Sequence, residues 1–457
     1  MNMPQRFLAF VILMILLAST AGAATLLVPT DFPTIQAGVN AATVGDTVLL
    51  DPGIYFGEGN RDIDFGGKDL TVLSRDNDPS TCTIACQGQY YENHRGFIFQ
   101  SGETSQSRLQ GLTIRDGWGE GDPYEPSGGG GAILCENGSS PVIANCRLTQ
   151  CVTRGSGGGL SAHDSSPTLV DCRIDHNQCS SYGGGVYASG SGTITLSGCQ
   201  IANGNGSVGG GAYLVCEEPL VFECVVANNS DIGLYLGESG TILNTTVTGN
   251  DIGIEGGCCY LENSLITFNG MAFGESIAND FVDGCADLLC SNVFGNSVLS
   301  WVSYFEFLPG TSGNISANPL YCDADNWDYH LAPDSPCLNT MCGRMGAMGE
   351  GTCPALSPVL EGSELAFGLR GNFPNPFNPR TEIAFALGEA SVVRLEIFDL
   401  AGRKVRTLID STVFQPGEHQ ARWEGRDEAG RQAAAGVYFS LLTTPHGTDS
   451  RRMVLLK

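Results

Sequence analysis

A seven-residue unit recurs along the middle of this chain, and its spacing constrains the fold more than any other feature. It reads NCRLTQC (145–151), DCRIDHN (171–177), GCQIANG (198–204), ECVVANN (223–229), NTTVTGN (244–250), NSLITFN (263–269) and CSNVFGN (290–296). Successive units begin 26, 27, 25, 21, 19 and 27 residues apart. The second position is Cys146, Cys172, Cys199, Cys224, Thr245, Ser264 and Ser291, and the fourth is Leu148, Ile174, Ile201, Val226, Val247, Ile266 and Val293. Residues two apart in a strand share a face, so one face is small, then aliphatic, in every unit. The seventh position is asparagine at 177, 229, 250, 269 and 296. A second short strand follows a glycine run in GGGGAIL (128–134), GGGLSA (157–162), GGGVYA (183–188) and GGGAYL (209–214), and becomes DIGLYL (231–236) and DIGIEG (251–256) lower down. Short strands at a period of roughly 20–28 residues, without a helical pattern, predict a solenoid whose stacked coils share one core. The asparagines stack at a turn, each bonding the backbone of its neighbouring coil. LQGLTIRDG (109–117) and KDLTVLS (68–74) fit the same register. The total is about nine coils, or about 45 Å at an inter-strand spacing of ~4.8 Å.

Composition agrees. Glycine supplies 62 of the 457 residues and charged residues only 16%, against a helical bundle, a coiled coil or an acidic disordered chain. Clustered rather than periodic glycines exclude collagen. They are not phosphate loops either, since no Gly-Lys-Ser/Thr follows and each run opens a strand. Residues 25–359 hold 37 acidic against 10 basic residues, whereas 360–457 hold 12 of each. So negative a surface repels nucleic acid and anionic lipid, and disfavours polyanionic glycans unless a divalent cation bridges them.

Residues 1–24 carry Arg6, a 12-residue apolar run Phe7–Ala18 and the small-x-small pattern Ala21-Gly22-Ala23. This is a secretory signal peptide, too short to span a membrane, and no later segment could span one as a helix. Export permits disulfides among the 18 cysteines, all between Cys82 and Cys353. Cys146, Cys172, Cys199 and Cys224 stack one per coil, farther apart than the ~3.5–4.5 Å between Cβ atoms that a disulfide prefers, so a buried thiol column is expected. Cys258/Cys259, Cys285/Cys290 and Cys337/Cys342 are the better disulfide candidates. No CxxC or Cys/His set suggests zinc.

The glycine-led strand, the repeating unit and the asparagine column, across about residues 25–350, resemble the right-handed parallel β-helix family with the pectin-lyase-like fold. PTDFPTIQAGVNAATVGDTVLLDPGIY (29–55) resembles that family's first coil, which implies a capping helix at Ile35–Ala42. NPLYCDADNWDYHLAPDSPCLN (318–339) resembles the closing segment of secreted bacterial members. After Cys353 the pattern changes to strand-like runs separated by turns every ~10 residues, which predicts a small β-sandwich. The order NFPNPFNPRT, IFDLAGRKVRTL, HQARWEGRDEAGR, AAGVYF and a basic last strand, over about 364–457, resembles the C-terminal sorting domain of type IX secretion cargo and the related immunoglobulin-like domain of the flagellar hook-capping protein. The resemblance implies passage across the outer membrane through that secretion machinery.

Chemistry is harder to place, because this fold hosts lyases, hydrolases, esterases, adhesins and inert spacers. Asp231 and Asp251 occupy matching Asp-Ile-Gly triplets, and stacking puts their carboxylates about 5 Å apart, near the ~5–5.5 Å of retaining glycosidases. The Gly-His-Gly and basic motifs of polygalacturonases are missing, and the alternative role for both aspartates is to bond backbone amides at a turn. Asp280 and Asp283 loosely echo the pectinesterase nucleophile strand without its Gln-Asp-Thr. Lyase chemistry needs a basic residue near a calcium-binding acidic patch, and the one lysine, Lys68, and nine arginines of residues 25–359 lie mostly far from acidic clusters in sequence. Asp323, Asp325 and Asp328 are candidate Ca²⁺ ligands, although they miss the EF-hand spacing and a solvated turn is the plainer role. Tyr182, Tyr187, Tyr213 and Tyr235 form either an aromatic column for stacking on sugars or ordinary strand positions.

The sequence therefore describes an all-β chain: signal peptide 1–24, right-handed parallel β-helix solenoid 25–353, linker 354–363 and immunoglobulin-like β-sandwich 364–457. It reads as a secreted or cell-surface bacterial protein without catalysis, with a structural, adhesive or glycan-binding role. A polysaccharide lyase or glycoside hydrolase on the same fold is the alternative. Partners are a polysaccharide or cell-surface glycan and the outer-membrane secretion machinery, with no nucleic acid and no transmembrane segment in the mature chain.

Overall fold

A computed structural model describes residues 23–121, 129–274, 287–296, 312–353, 368–373, 377, 379–387, 390–399, 403–415, 417–434, 436–445 and 447–455. The chain divides into two compact units, Met1–Cys353 and Pro354–Lys457. The signal peptide up to residue 22, the linker, Asp280, Asp283 and Cys285 lie outside the described residues.

The repeating unit explains how a coil turns. Its first position (Asn145, Asp171, Gly198, Glu223, Asn244, Asn263, Cys290) and its sixth (Gln150, His176, Asn203, Asn228, Gly249, Phe268, Gly295) all have positive φ. These are left-handed corners, which Gly, Asn and Asp tolerate best. Between them lies a three-residue strand such as Val225–Ala227, with its middle residue pointing inward. Coil after coil repeats this, so strands pair in parallel with Leu148 on Ile174, Ile174 on Ile201 and Val226 on Val247.

Three long parallel sheets result, of eleven, ten and nine strands among the described residues, beside a short parallel one of three. The first starts at Thr25–Val28, the second at Gly53–Phe56 and the third at Ile63–Asp64. The larger strand counts than the nine expected coils come from N-terminal strands such as Thr25–Val28 and Thr47–Leu50, which lack the seven-residue signature. Inward side chains form one core, and each buried Val, Leu, Ile or Phe contributes about 1.5–3 kcal/mol. The open end is covered by helix Ile35–Ala41, capped by the Thr34 hydroxyl accepting from the Ala37 amide, with Ile35 and Val39 buried. Lys68 Nζ donates to the carbonyls of Val39 and Ala42 at the helix's other end.

Asn177, Asn229, Asn250 and Asn269 are buried at the second corner. The oxygen of each of the last three accepts a backbone amide from the preceding coil: Gly204 to Asn229 at 2.9 Å, Asn229 to Asn250 at 3.0 Å and Asn250 to Asn269 at 3.0 Å. At the first corner the thiols of Cys146, Cys172, Cys199 and Cys224 each point to the carbonyl two residues back, 3.2–3.4 Å away. Thr245, Ser264 and Ser291 make the same bond at 2.8–3.0 Å. All four cysteines are free and buried.

The disulfides differ from the expected pairs. Cys290 joins Cys342 and Cys322 joins Cys353. Cys337 is instead a buried thiol accepting from Asn292 Nδ2, and Cys258 is disulfide-bonded but not to its neighbour Cys259. Sequence proximity misled here. Both placed bonds tie the closing segment, one to the last coil and one within itself.

That segment also covers the lower outward face of the second sheet. Tyr321, Trp327, Tyr329 and Met348 pack on Ala202, Val225 and Ala227, and Leu331 and Met345 pack on Leu265. Above this cover the outward positions carry Thr83, Thr113, Arg115, Arg147, Thr149, Arg173 and Asp175, with Ala85 and the exposed Ile54 and Phe56 at the top.

The C-terminal unit holds antiparallel sheets of three and four strands among the described residues. The first orders Gly368–Phe373, Thr381–Leu387 and Gly417–Trp423, and the second orders Lys404–Phe414, Ser391–Asp399, Gly436–Thr444 and Gly447–Leu455. Alternation along Ser391–Asp399 buries Val393, Leu395 and Ile397 against Phe385, Trp423 and Leu442. Trp423 satisfies its indole N–H by donating to the Arg426 carbonyl at 2.9 Å.

Candidate functional site

The uncovered upper part of the second sheet carries the strongest concentration of charge chemistry in the solenoid. Positions three and five of the repeating unit face outward there. Register aligns Thr83, Thr113, Arg147, Arg173 and Gln200 in one column and Ala85, Arg115, Thr149, Asp175 and Ala202 in the next. Asp175 therefore sits diagonally between two arginines. Its side chain is 0% exposed, with Arg147 Nη2 at 2.9 Å and Arg173 Nε at 2.5 Å from Oδ2. Arg147 also reaches Oδ1 through Nε and Nη2, so it grips the carboxylate as a fork. Burial alone would raise the Asp175 pKa. Hydrogen bonds from Thr149 and Arg147 and the two guanidinium charges outweigh it and hold the carboxyl below its usual range.

The arginines keep an outer face in water, with side chains 42% and 41% exposed. Arg173 also stacks over Trp327 of the closing segment, 4.5 Å from the ring centre. A hollow of about 450 Å³ opens over this face, lined by Thr83, Thr113, Arg115, Arg147, Gln150 and His176 among others. Its lining includes no carboxyl group. Arg115 pairs with Asp116, and His176 Nδ1 lies 3.7 Å from Asp175. The hollow therefore presents guanidinium, imidazole, hydroxyl and amide donors oriented by a buried anion.

This set was legible in part. In NCRLTQC and DCRIDHN the third residue is arginine both times and the fifth is Thr149 then Asp175. Attention to the inward second and fourth positions hides the outward third and fifth. Arg173 and Asp175 share one strand, whereas Arg147 meets Asp175 only across coils, 28 residues away in the chain.

The other sequence candidates fall elsewhere. Asp251 Oδ2 accepts the Asp231 amide at 2.9 Å, and Asp231 Oδ2 accepts the Gly209 amide at 3.0 Å, so each carboxylate clasps the coil above at a turn. Asp323 is bonded within its own turn to Asn326, and Asp328 contacts the His330 ring at 2.6 Å. The side chain of Asp325 lies outside the described residues. No group of three metal-binding side chains occurs among the described residues.

The four tyrosines do gather on the outward face of the third sheet, where Tyr187, Tyr213 and Tyr235 are in register. They stack on one another: Tyr213 and Tyr235 are 4.1 Å apart and 7° from parallel, Tyr187 and Tyr213 6.1 Å apart, and Tyr182 leans on Tyr213 at 4.7 Å. An open platform for sugars was one expectation, but self-stacking covers the inner rings and buries Tyr187 to 4% exposure.

Comparison with known proteins agrees with the architecture. Two overlapping stretches, residues 60–209 and 98–273, match the right handed beta helix region, and residues 377–443 match the FlgD Ig-like domain. No curated protein matches the sequence. Among solved structures, pectate lyase Pel9A is similar at 13% identity, covering 72% of this chain and 97% of that one with a TM-score of 0.47. PorZ, a bacterial surface component of the type-IX secretion system of Porphyromonas gingivalis, is similar at 24% identity, covering 19% of this chain with a TM-score of 0.15. Dimeric latent PorU of the same organism is similar at 20% identity, also over 19% of this chain, with a TM-score of 0.16. The matched part spans only 11% and 9% of those two chains. The chain is nearly all-β, a right-handed parallel β-helix followed by an immunoglobulin-like unit.

Proposed function

We propose that this chain is an extracellular or cell-surface glycan-binding protein without catalytic activity, holding an acidic sugar chain along the upper outward face of its second sheet. One observation carries the reading: the buried Asp175 carboxylate fixes Arg147 and Arg173 while leaving their outer faces wet beside a hollow with no carboxyl in its lining. Guanidinium groups so held recognise carboxylates with little loss of side-chain entropy. This local donor cluster opposes the acidic surface around it, which restricts binding to anions that reach the hollow. Asp175 is ionised at neutral pH and shared between two cations, so it has no proton to give a leaving group, which supports retention over hydrolysis. Disulfides Cys290–Cys342 and Cys322–Cys353 fit an oxidising compartment. The type IX sorting resemblance of residues 364–457 supports delivery to the surface.

The test is equilibrium binding of the full chain to galacturonan oligomers, with neutral oligomers beside them and chain ends assayed throughout. Arg147→Ala should weaken acidic binding about tenfold or more, and raised salt should weaken the wild type. Equal affinity of Arg147→Ala and wild type would remove the site. New reducing or unsaturated ends would replace this reading with an enzyme.

A further inference from the structure

The tyrosine stack ends beside a second cleft whose chemistry is opposite to that of the arginine hollow. Glu255, not a further tyrosine, follows Tyr235 in register on the next coil, so Tyr235 is the last ring of the pile. Its ring, half-buried, lines a cleft of about 660 Å³. Val215 and the glycines at 190, 237, 256 and 257 supply much of the remaining lining, and Glu217, Glu238 and Ser239 complete the polar part. Both glutamates are exposed, and neither has an ion-pair partner among the described residues. No lysine, arginine or histidine lines the cleft.

These features select a ligand class. Side-chain-free backbone lets a flat ring approach closely, and an aromatic wall offers a face or edge to sugar C–H groups. Carboxylates only accept hydrogen bonds, so the rim suits a ligand rich in hydroxyl donors. With two negative charges and no cation, the same rim repels uronates and sulfated sugars. The volume falls within the ~300–1,000 Å³ of small-ligand sites. We infer that the cleft beside Tyr235 is a binding site for a neutral, hydroxyl-rich sugar unit of a polysaccharide, separate from the acidic-sugar site on the second sheet.

The tyrosines above Tyr235 have a positional role. Tyr213 lies parallel over it and Tyr182 braces Tyr213, so the wall ring is held in one rotamer before a ligand arrives. Preorganisation of this kind reduces the entropy lost on binding.

The experiment titrates the full chain with cellohexaose, mannohexaose and hexagalacturonate by calorimetry. One neutral hexamer should bind wild type, and Tyr235→Ala should weaken it about tenfold while Tyr235→Phe retains it. Glu217→Gln and Glu238→Gln should each weaken neutral binding several-fold and relax the exclusion of hexagalacturonate at this cleft. Circular dichroism and the urea midpoint check that each variant folds, and Tyr235→Phe and the glutamine variants stand in if Tyr235→Ala does not. Arg147→Ala should leave neutral binding unchanged, so failure of the second-sheet reading and failure of this one are separable. No neutral hexamer bound by wild type, or equal neutral affinity in Tyr235→Ala and both glutamine variants, overturns the inference.

Discussion

Replacing Asn250 with alanine measures what the asparagine column is worth. The Asn250 carboxamide oxygen accepts from the Asn229 amide and from Asn229 Nδ2, both at 3.0 Å. Its own Nδ2 lies 3.1 Å from the carbonyls of Val226 and Thr248 and 3.0 Å from Asn269 Oδ1. Asn229 is 3% exposed and Asn250 2%, so water has little access to the groups left behind. Each orphaned buried group costs about 1–3 kcal/mol, and truncation orphans the Asn229 N–H and removes a donor from the facing carbonyls. The expected loss is about 3 kcal/mol, a sizeable part of the ~5–15 kcal/mol that holds a typical domain. Hydrogen exchange should read it locally: at 1.4 kcal/mol per factor of ten, the Asn229 amide should exchange about a hundredfold faster. A lower urea midpoint should accompany this. Asn228→Gly is the control, because glycine accepts the positive φ of that corner and the asparagine side chain is exposed, with Tyr329 Oη 3.4 Å away, so it should lie within about 0.5 kcal/mol of wild type. A loss below about 1 kcal/mol with unchanged exchange at Asn229 would refute the reasoning. The coils would then be held by strand pairing and the inner face alone.

Four further expectations use other parts of the molecule. Burial pushes the Cys146 and Cys151 thiols up to about 12, so iodoacetamide at pH 8 should label neither before unfolding, and labelling of either in the folded chain, mapped by peptide mass, would contradict their burial. Cys199→Ser should change stability by no more than about 1 kcal/mol, since Ser264 and Ser291 already make the same bond, and a larger loss by urea titration would show that the thiol itself is needed. Asp175 has a folded pKa below its unfolded value of about 3.9, so its contribution is complete above that pH and disappears as pH falls through the lowered value; Asp175→Asn should flatten stability against pH below about pH 4, and an unchanged acid limb would count against the clamp. Deleting 364–457 should trap the protein in the periplasm, and unchanged surface delivery, read by fractionation, would sink the sorting assignment.

Local pattern fails at particular residues. The pairing of Cys290 with Cys342 rather than Cys285 brings together residues 52 apart, and that depends on where the closing segment lands. Asp231 and Asp251 look like a catalytic pair by spacing, yet each carboxylate is aimed at a backbone amide of the coil above. The tyrosine column is visible as a sequence column, but whether its rings face solvent or one another depends on rotamers set by packing.

What the sequence determined by itself is the coil. Small and aliphatic inward residues at positions two and four and an asparagine at seven recur by residue type from coil to coil, and the asparagine bonds the backbone of its neighbour. Tertiary structure decided the surface. Parallel stacking brings Arg147 onto Asp175, 28 residues away in the chain and on the same strand as Arg173, and the closing segment covers the apolar lower part of the second sheet while leaving Arg147 open. Inward positions are chosen by one demand, exclusion from water, and so repeat. Outward positions answer to whatever lies beside them on the neighbouring coil, and that neighbour exists only after the coils have stacked.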